Sequence, residues 1–246
     1  MDSRTLKLRA VIFDVYATLL EVEPPPADAE ARWMRLCQRM FSGPARLSLP
    51  EFAAACDHAI ALEHAAARAA GILFPEIFWP DIALEVLPEL AACAPPARED
   101  FLFQHASLSH TVRLPAGAAD TLRRLRERGM LLGIASNAQS YTLRELAEAL
   151  SAAGLSFDLF VPELCFWSFA HGFSKPNPHV FRLLTARLRA RQVAPDEILM
   201  VGDRIDNDIA PARAQGWRTW QLAVRTRTED GGDWTALAEF LAGSET

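Results

Sequence analysis

Three apolar runs of this 246-residue chain end on polar residues of kinds that can do chemistry. Asp14 follows Arg9–Phe13, Ser136 and Asn137 follow Met130–Ala135, and Asp203 follows Glu197–Gly202 with Asp208 close behind. Lys175 stands in Gly172-Phe173-Ser174-Lys175-Pro176, just ahead of a helical pattern. A carboxylate can attack an electrophile to give an acyl-type intermediate that water then opens. The Ser136 hydroxyl and Asn137 amide can hold phosphoryl or carboxylate oxygens. A lysine adds a compact positive charge that orients a carboxylate and offsets charge developing during attack. One aspartate after a strand is often only a helix cap; four such landmarks in this order are far more specific.

The elements that must position these residues alternate. Strand-like runs are Arg9–Phe13, Met130–Ala135, Phe157–Val161, Glu197–Val201 and Trp217–Val224. Between and after them lie helical patterns at Ala116–Arg128, Tyr141–Ala153, Pro178–Arg191, Ile209–Gln215 and Trp234–Leu241, with Arg225–Asp233 as a polar loop. This alternation predicts an α/β fold with a doubly wound, mainly parallel sheet, in which a site lies beyond the carboxyl ends of the strands. After Glu21–Pro26, where three prolines break any helix, the pattern is helical only: Ala29–Phe41, Pro50–Ala70, Ile82–Ala92 and Ala97–Ser107. Ser48 with Glu51 resembles a capping box. The chain therefore divides into an α/β core at 1–22 and 111–246 and an all-helical insert at 23–110.

Composition narrows the function. Half the residues are apolar, which supplies a core, and 25 Lys and Arg against 31 Asp and Glu give a net charge of −6. That balance offers no basic surface for nucleic acid or an anionic membrane, and a small molecule is the expected partner. Cys37, Cys56, Cys93 and Cys165 form no CxxC pair and are expected as buried apolar side chains. With no secretory core at the start and no long apolar run, the expected location is cytoplasmic.

Quoted in order, Phe13-Asp14-Val15-Tyr16-Ala17-Thr18-Leu19, Ala135-Ser136-Asn137, Ser174-Lys175-Pro176 and Val201-Gly202-Asp203-Arg204-Ile205-Asp206-Asn207-Asp208 resemble the four motifs of the haloacid dehalogenase superfamily of hydrolases. The resemblance spans essentially the whole chain and implies a Rossmann-like core with a helical cap inserted after the first strand. It implies Asp14 as nucleophile, Lys175 as its charge partner, and Thr18, Ser136 and Asn137 as substrate contacts. Asp14, Asp203 and Asp208 would repel one another without a cation, and hard oxygen ligands favour Mg2+. The family pattern adds the main-chain carbonyl of Tyr16 as a ligand, with Asp206 and Asn207 as possible support.

Two departures bear on the reaction. Phosphatases of the superfamily carry a general-acid aspartate two positions after the nucleophile, where this chain has Tyr16, and a glycine where it has Ala17. A tyrosine can donate a proton but is a poor base at neutral pH. Tyrosine here is the 2-haloacid dehalogenase pattern, in which halide leaves without a proton. The Gly202-Asp203…Asp208-Ile209 loop instead has the magnesium-phosphatase form, and Phe181 stands where dehalogenases have a tyrosine. Three readings follow: a magnesium-dependent phosphatase-type hydrolase with its acid from Tyr16 or the cap, a dehalogenase-type hydrolase with a halide-binding arginine among Arg35, Arg39 and Arg46, and a ligand-binding protein of impaired chemistry. His64, Arg68, Glu76, Phe78 and Trp79 are the cap's candidate substrate contacts, with Phe78 and Trp79 better suited to its core. His105 and His110 read as structural or solvent-exposed, and Trp167, Phe169 and His171 as residues of the rim.

Overall fold

The computed structural model describes residues 8–222 and 228–243. In chain order, β1 (Ala10–Phe13) and β2 (Glu21–Glu23) lead into α1 (Ala29–Phe41), α2 (Leu49–Ala69), α3 (Trp79–Val86) and α4 (Pro95–Ser109). The chain returns through β3 (Thr111–Arg113) to α5 (Ala118–Glu127), β4 (Leu131–Ser136), α6 (Tyr141–Ala152) and β5 (Cys165–Trp167). It ends with α7 (Pro178–Ala190), β6 (Ile198–Gly202), α8 (Ala210–Arg213), β7 (Arg218–Leu222), β8 (Gly231–Gly232) and α9 (Trp234–Gly243).

The sheet runs β5-β4-β1-β6-β7-β8 and every pairing within it is parallel. All four residues of β1 are buried because helices cover both faces. The pleat sends Val11 and Phe13 toward α5, α6 and α9, and Ala10 and Ile12 toward α7 and α8. Phe13 pairs with Ile134 on one side and Val201 on the other, so β1, β4 and β6 end at one edge and align Asp14, Ser136 and Asp203 there.

Helices α1–α4 bury a core of their own, with Trp33, Phe52, Ile82 and Phe101 at its centre. Ser48 caps α2 with both legs of the capping box formed. The chain leaves for these helices through β2 and returns through β3, and the two strands pair antiparallel with Glu21 opposite Arg113. Arg113 adds ion pairs to Glu21 at 2.7 Å and Glu23 at 2.8 Å, exposed contacts of small individual worth.

Several expected elements are displaced. Phe157–Val161 is not a strand: Phe157–Leu159 form a 3-10 turn capped by Ser156, and the edge strand is Cys165–Trp167. The run looked like a strand because Phe157, Leu159 and Phe160 pack into the core from the turn. The expected helix Ile82–Ala92 starts earlier, at Trp79, and breaks at Leu87 before Pro88, continuing as a 3-10 turn over Pro88–Ala92. Glu21–Glu23 are strand, not free linker, and Gly231–Gly232 form an edge strand inside the expected loop. Within the expected strand Trp217–Val224 and that loop, residues 223–227 lie outside the described residues.

Candidate active site

Lys175 is buried at the strand ends, and its Nζ donates to Asp14 Oδ1 at 2.7 Å and to Asp208 Oδ1 at 2.5 Å. Asp14, Asp203 and Asp208 each offer a carboxylate oxygen, and these oxygens lie within 4.8 Å of one another. Burial, opposed by the Lys175 charge and reinforced by Asp208, brings the Asp14 carboxyl up to about 6. Asp203 is raised by burial and then by Asp208. For Lys175 burial favours the neutral amine, yet the two carboxylates outweigh it and hold the ammonium above its usual range. Three acids against one lysine leave excess negative charge among hard oxygen donors, a donor set that fits a divalent cation.

Local sequence explains the placement. Asp14 extends β1 by one hydrogen bond, its N–H donating to Val201 O at 2.9 Å. A Cβ on Gly202 would lie 2.5 Å from Asp208 Oδ2, so only glycine lets Asp208 fold back over β6. Asp208 Oδ2 also accepts from the Arg204 N–H at 3.0 Å, which closes the loop. Asp206 turns outward to Arg204, at 2.6 Å, while Asn207 is buried beside Asp208. Asn137, expected to touch substrate, grips the main chain of Lys175 instead: its Oδ1 accepts from Lys175 N–H at 2.7 Å and its Nδ2 donates to Lys175 O at 2.9 Å. The buried hydroxyls of Ser136 and Thr18 have no hydrogen-bond partner in the protein. A buried unsatisfied hydroxyl is costly, and the one on Ser136, at the end of β4, suits a polar ligand there.

Tyr16 is held away. Its hydroxyl donates to Glu145 Oε2 at 2.5 Å and accepts from Thr142 Oγ1 at 2.8 Å. Burial first, and then the Glu145 carboxylate, push its hydroxyl far above the ordinary phenol range. The ring packs against the core beneath α5, α6 and α9 and meets His110 edge-on at 5.6 Å. His110 Nε2 in turn lies 3.0 Å from Glu145 Oε1. Glu145 and Thr142 are residues that the sequence reading missed. The available signal was a carboxylate in the buried stripe Thr142, Glu145, Leu146, Leu150 of α6.

The helical insert meets the core beside Lys175. Pro75 bridges to Phe173, Ser174 N–H donates to Phe74 O at 2.9 Å, and Glu76 N–H donates to Gly172 O at 3.1 Å. Glu76 accepts from Ser168 Oγ at 2.7 Å and from Gln139 Nε2 at 3.0 Å, and burial raises its carboxyl. Gln139 Oε1 also accepts from Trp79 N–H at 2.9 Å. Gln139 and Ser168 were not anticipated either. Among the cap candidates, Trp79 packs into the helical core, Phe78 is exposed and stacks on Phe169 at 6.3 Å, and Arg68 is exposed. His64 is partly buried, with Nε2 unpartnered. His105 lies among Trp33, Phe52 and Trp79, where burial and then His110 lower its pKa to about 4, so it is neutral packing. At the expected rim, Trp167 instead packs on the core beside Phe157, and His171 stacks on Phe166 at 4.5 Å. Arg35, Arg39 and Arg46 are exposed and bound to Asp28, Gln104 and Glu89, so the structure does not bring them to the carboxylates. Phe181 is fully buried core. Among the described residues, no helix is long and apolar enough to cross a membrane.

A doubly wound parallel sheet whose strand ends gather a lysine between carboxylates defines an α/β protein with a hydrolase-type site. The family model for haloacid dehalogenase-like hydrolases matches residues 8–216, and the chain belongs to that family. It is 33% identical over 103 residues to the glyceraldehyde 3-phosphate phosphatase of Pyrococcus furiosus, covering 42% of this chain and 39% of that protein. The chain thus spans well under half the length of that relative. It shares its fold with a 2-haloacid dehalogenase from Pseudomonas syringae pv. Tomato DC3000, at TM-score 0.62, 21% identity and coverage of 96% and 99% of the two chains. A HAD phosphatase from Thermococcus onnurineus matches at TM-score 0.57, 20% identity and 97% and 100% coverage.

Proposed function

We propose that the protein is a magnesium-dependent, phosphatase-type hydrolase of a small phosphorylated molecule, with Asp14 as nucleophile. The carrying observation is the Asp14, Asp203 and Asp208 cluster, oxygens within 4.8 Å, closed by buried Lys175. Asp14, Asp203, Asp208 and the Tyr16 carbonyl would hold Mg2+, which would draw charge from the phosphoryl oxygens. Lys175 keeps Asp14 ionised and aimed and offsets the charge that builds at phosphorus. Asn137 fixes Lys175 through its main chain, and the unpartnered Ser136 and Thr18 hydroxyls receive phosphoryl oxygens. Residues 23–110 act as the cap, whose Phe74–Trp79 segment closes the site from one side and excludes water.

A second reading, 2-haloacid dehalogenase-type displacement, is favoured by one observation: Tyr16 is committed to Glu145, so no acid stands where halide would need none. One assay separates the readings. Phosphate release from a panel of esters that requires Mg2+ and vanishes in Asp14→Asn supports the first. Halide release from a 2-haloacid without metal supports the second. Tight binding of a panel member without turnover would leave a binding protein and refute both.

A further inference from the structure

We infer that this site acts on phosphorylated substrates whose leaving group departs as a stable anion without a proton from the protein, namely acyl phosphates and aryl-type esters rather than alkyl phosphate esters. The inference rests on the phosphatase reading and names its substrate class. Its basis is where the hydroxyl two residues beyond Asp14 goes. Tyr16 donates its proton to Glu145 at 2.5 Å and accepts from Thr142 at 2.8 Å, so both faces of that oxygen are engaged on α6. Glu145 is itself 4% exposed and clamped on its other oxygen by His110 at 3.0 Å. Turning Tyr16 toward the substrate would take from Glu145 the donor on its Oε2 and leave that buried oxygen unsatisfied, with only the His110 contact on Oε1 remaining. Glu145 is therefore a positioning residue that keeps Tyr16 out of the chemistry.

Among the described residues, the groups around Asp14 offer no replacement. Lys175 gives its protons to Asp14 and Asp208, and Asp203 with Asp208 are the oxygens that would hold the cation. Glu76, the acid of the seam, accepts from Ser168, Gln139 and the Ile77 N–H. The step then balances without an acid. Asp14 oxygen bonds to phosphorus, and the bond from phosphorus to the leaving oxygen breaks, that oxygen keeping the electron pair. Water oxygen next bonds to the same phosphorus, the bond from phosphorus to the Asp14 oxygen breaks with its electron pair returning to the carboxylate, and the proton released from the water passes to solvent, giving phosphate and free Asp14. A positioned acid is worth ~10²–10⁴-fold, and most where the leaving oxygen is basic.

The test is a leaving-group series on the wild-type protein with Mg2+: acetyl phosphate, 4-nitrophenyl phosphate, phenyl phosphate and glycerol 3-phosphate, read as kcat/KM by phosphate release. The expected result is a steep fall toward the alkyl ester, at least ~10²-fold below 4-nitrophenyl phosphate. A glycerol 3-phosphate rate less than ~10²-fold below the aryl ester overturns the inference and leaves the phosphatase reading standing. It would move the acid into the cap, where His64 has a buried, unpartnered Nε2. No release from any member, or release that persists in Asp14→Asn, overturns the phosphatase reading and the inference with it.

Discussion

Replacing Lys175 with methionine removes the basic side chain that, among the described residues, binds both Asp14 and Asp208, while keeping the volume of the side chain. Lys175 is 3% exposed and Asp208 is fully buried, so the methionine leaves two carboxylates without a counter-charge. Breaking a buried pair in this way costs about 3–5 kcal/mol. The loss depends on pH, with a sign that follows from each partner. The Lys175 pKa is raised in the fold, so its stabilisation is present at neutral pH and lost only as pH climbs through that raised value. Asp14 is raised to about 6 in the fold, so the native state holds a proton that the unfolded chain releases, and stability falls as pH rises from about 4 to 6. In Lys175→Met the carboxyl rises further, so acid restores what the lysine supplied. Urea unfolding with chelator present should show the full loss at pH 7 and a gap narrower by roughly 1–2 kcal/mol at pH 5. Added Mg2+ should recover more stability in the variant than in the wild type. A loss below 1 kcal/mol at pH 7, or a gap that does not narrow at pH 5, would refute the picture of Lys175 as the counter-charge.

Three other outcomes follow from local geometry. Gly202→Ala places a Cβ 2.5 Å from Asp208 Oδ2 and should weaken Mg2+ binding ~10–100-fold by titration calorimetry; unchanged affinity would remove Asp208 from the metal site. Ala17→Gly relieves a left-handed residue at φ 56 and should stabilise by up to about 1 kcal/mol in urea unfolding, against an expected cost if the loop tolerates alanine without strain. His105, lowered to about 4, contributes stability that is complete above about 6.5 and is lost as pH falls toward 4. His105→Phe should therefore flatten the stability profile between pH 6.5 and 4 by up to about 3 kcal/mol, and an unaltered profile would mean that this histidine is not held neutral.

The sequence by itself carried the parallel sheet, the polar residues at its strand ends and the run of helices between β2 and β3. Buried parallel strands need continuous apolar runs, and β1 and β6 show them, so Asp14 and Asp203 were legible at their ends. Glycine at 202 and the capping box at Ser48 are local features, readable within a few residues. What the sequence could not carry was partner choice across distance. Asn137 looked like a substrate contact, yet its amide pairs with a main chain 38 residues away. Tyr16 looked like a stand-in acid, yet its proton goes to Glu145, 129 residues on. Phe157–Val161 had the composition of a strand, and packing made it a turn. Residue types and spacing fix which groups are able to react; a hydrogen bond from a far helix decides which of them are free to do so, because each donor satisfies one partner and burial makes that commitment expensive to break.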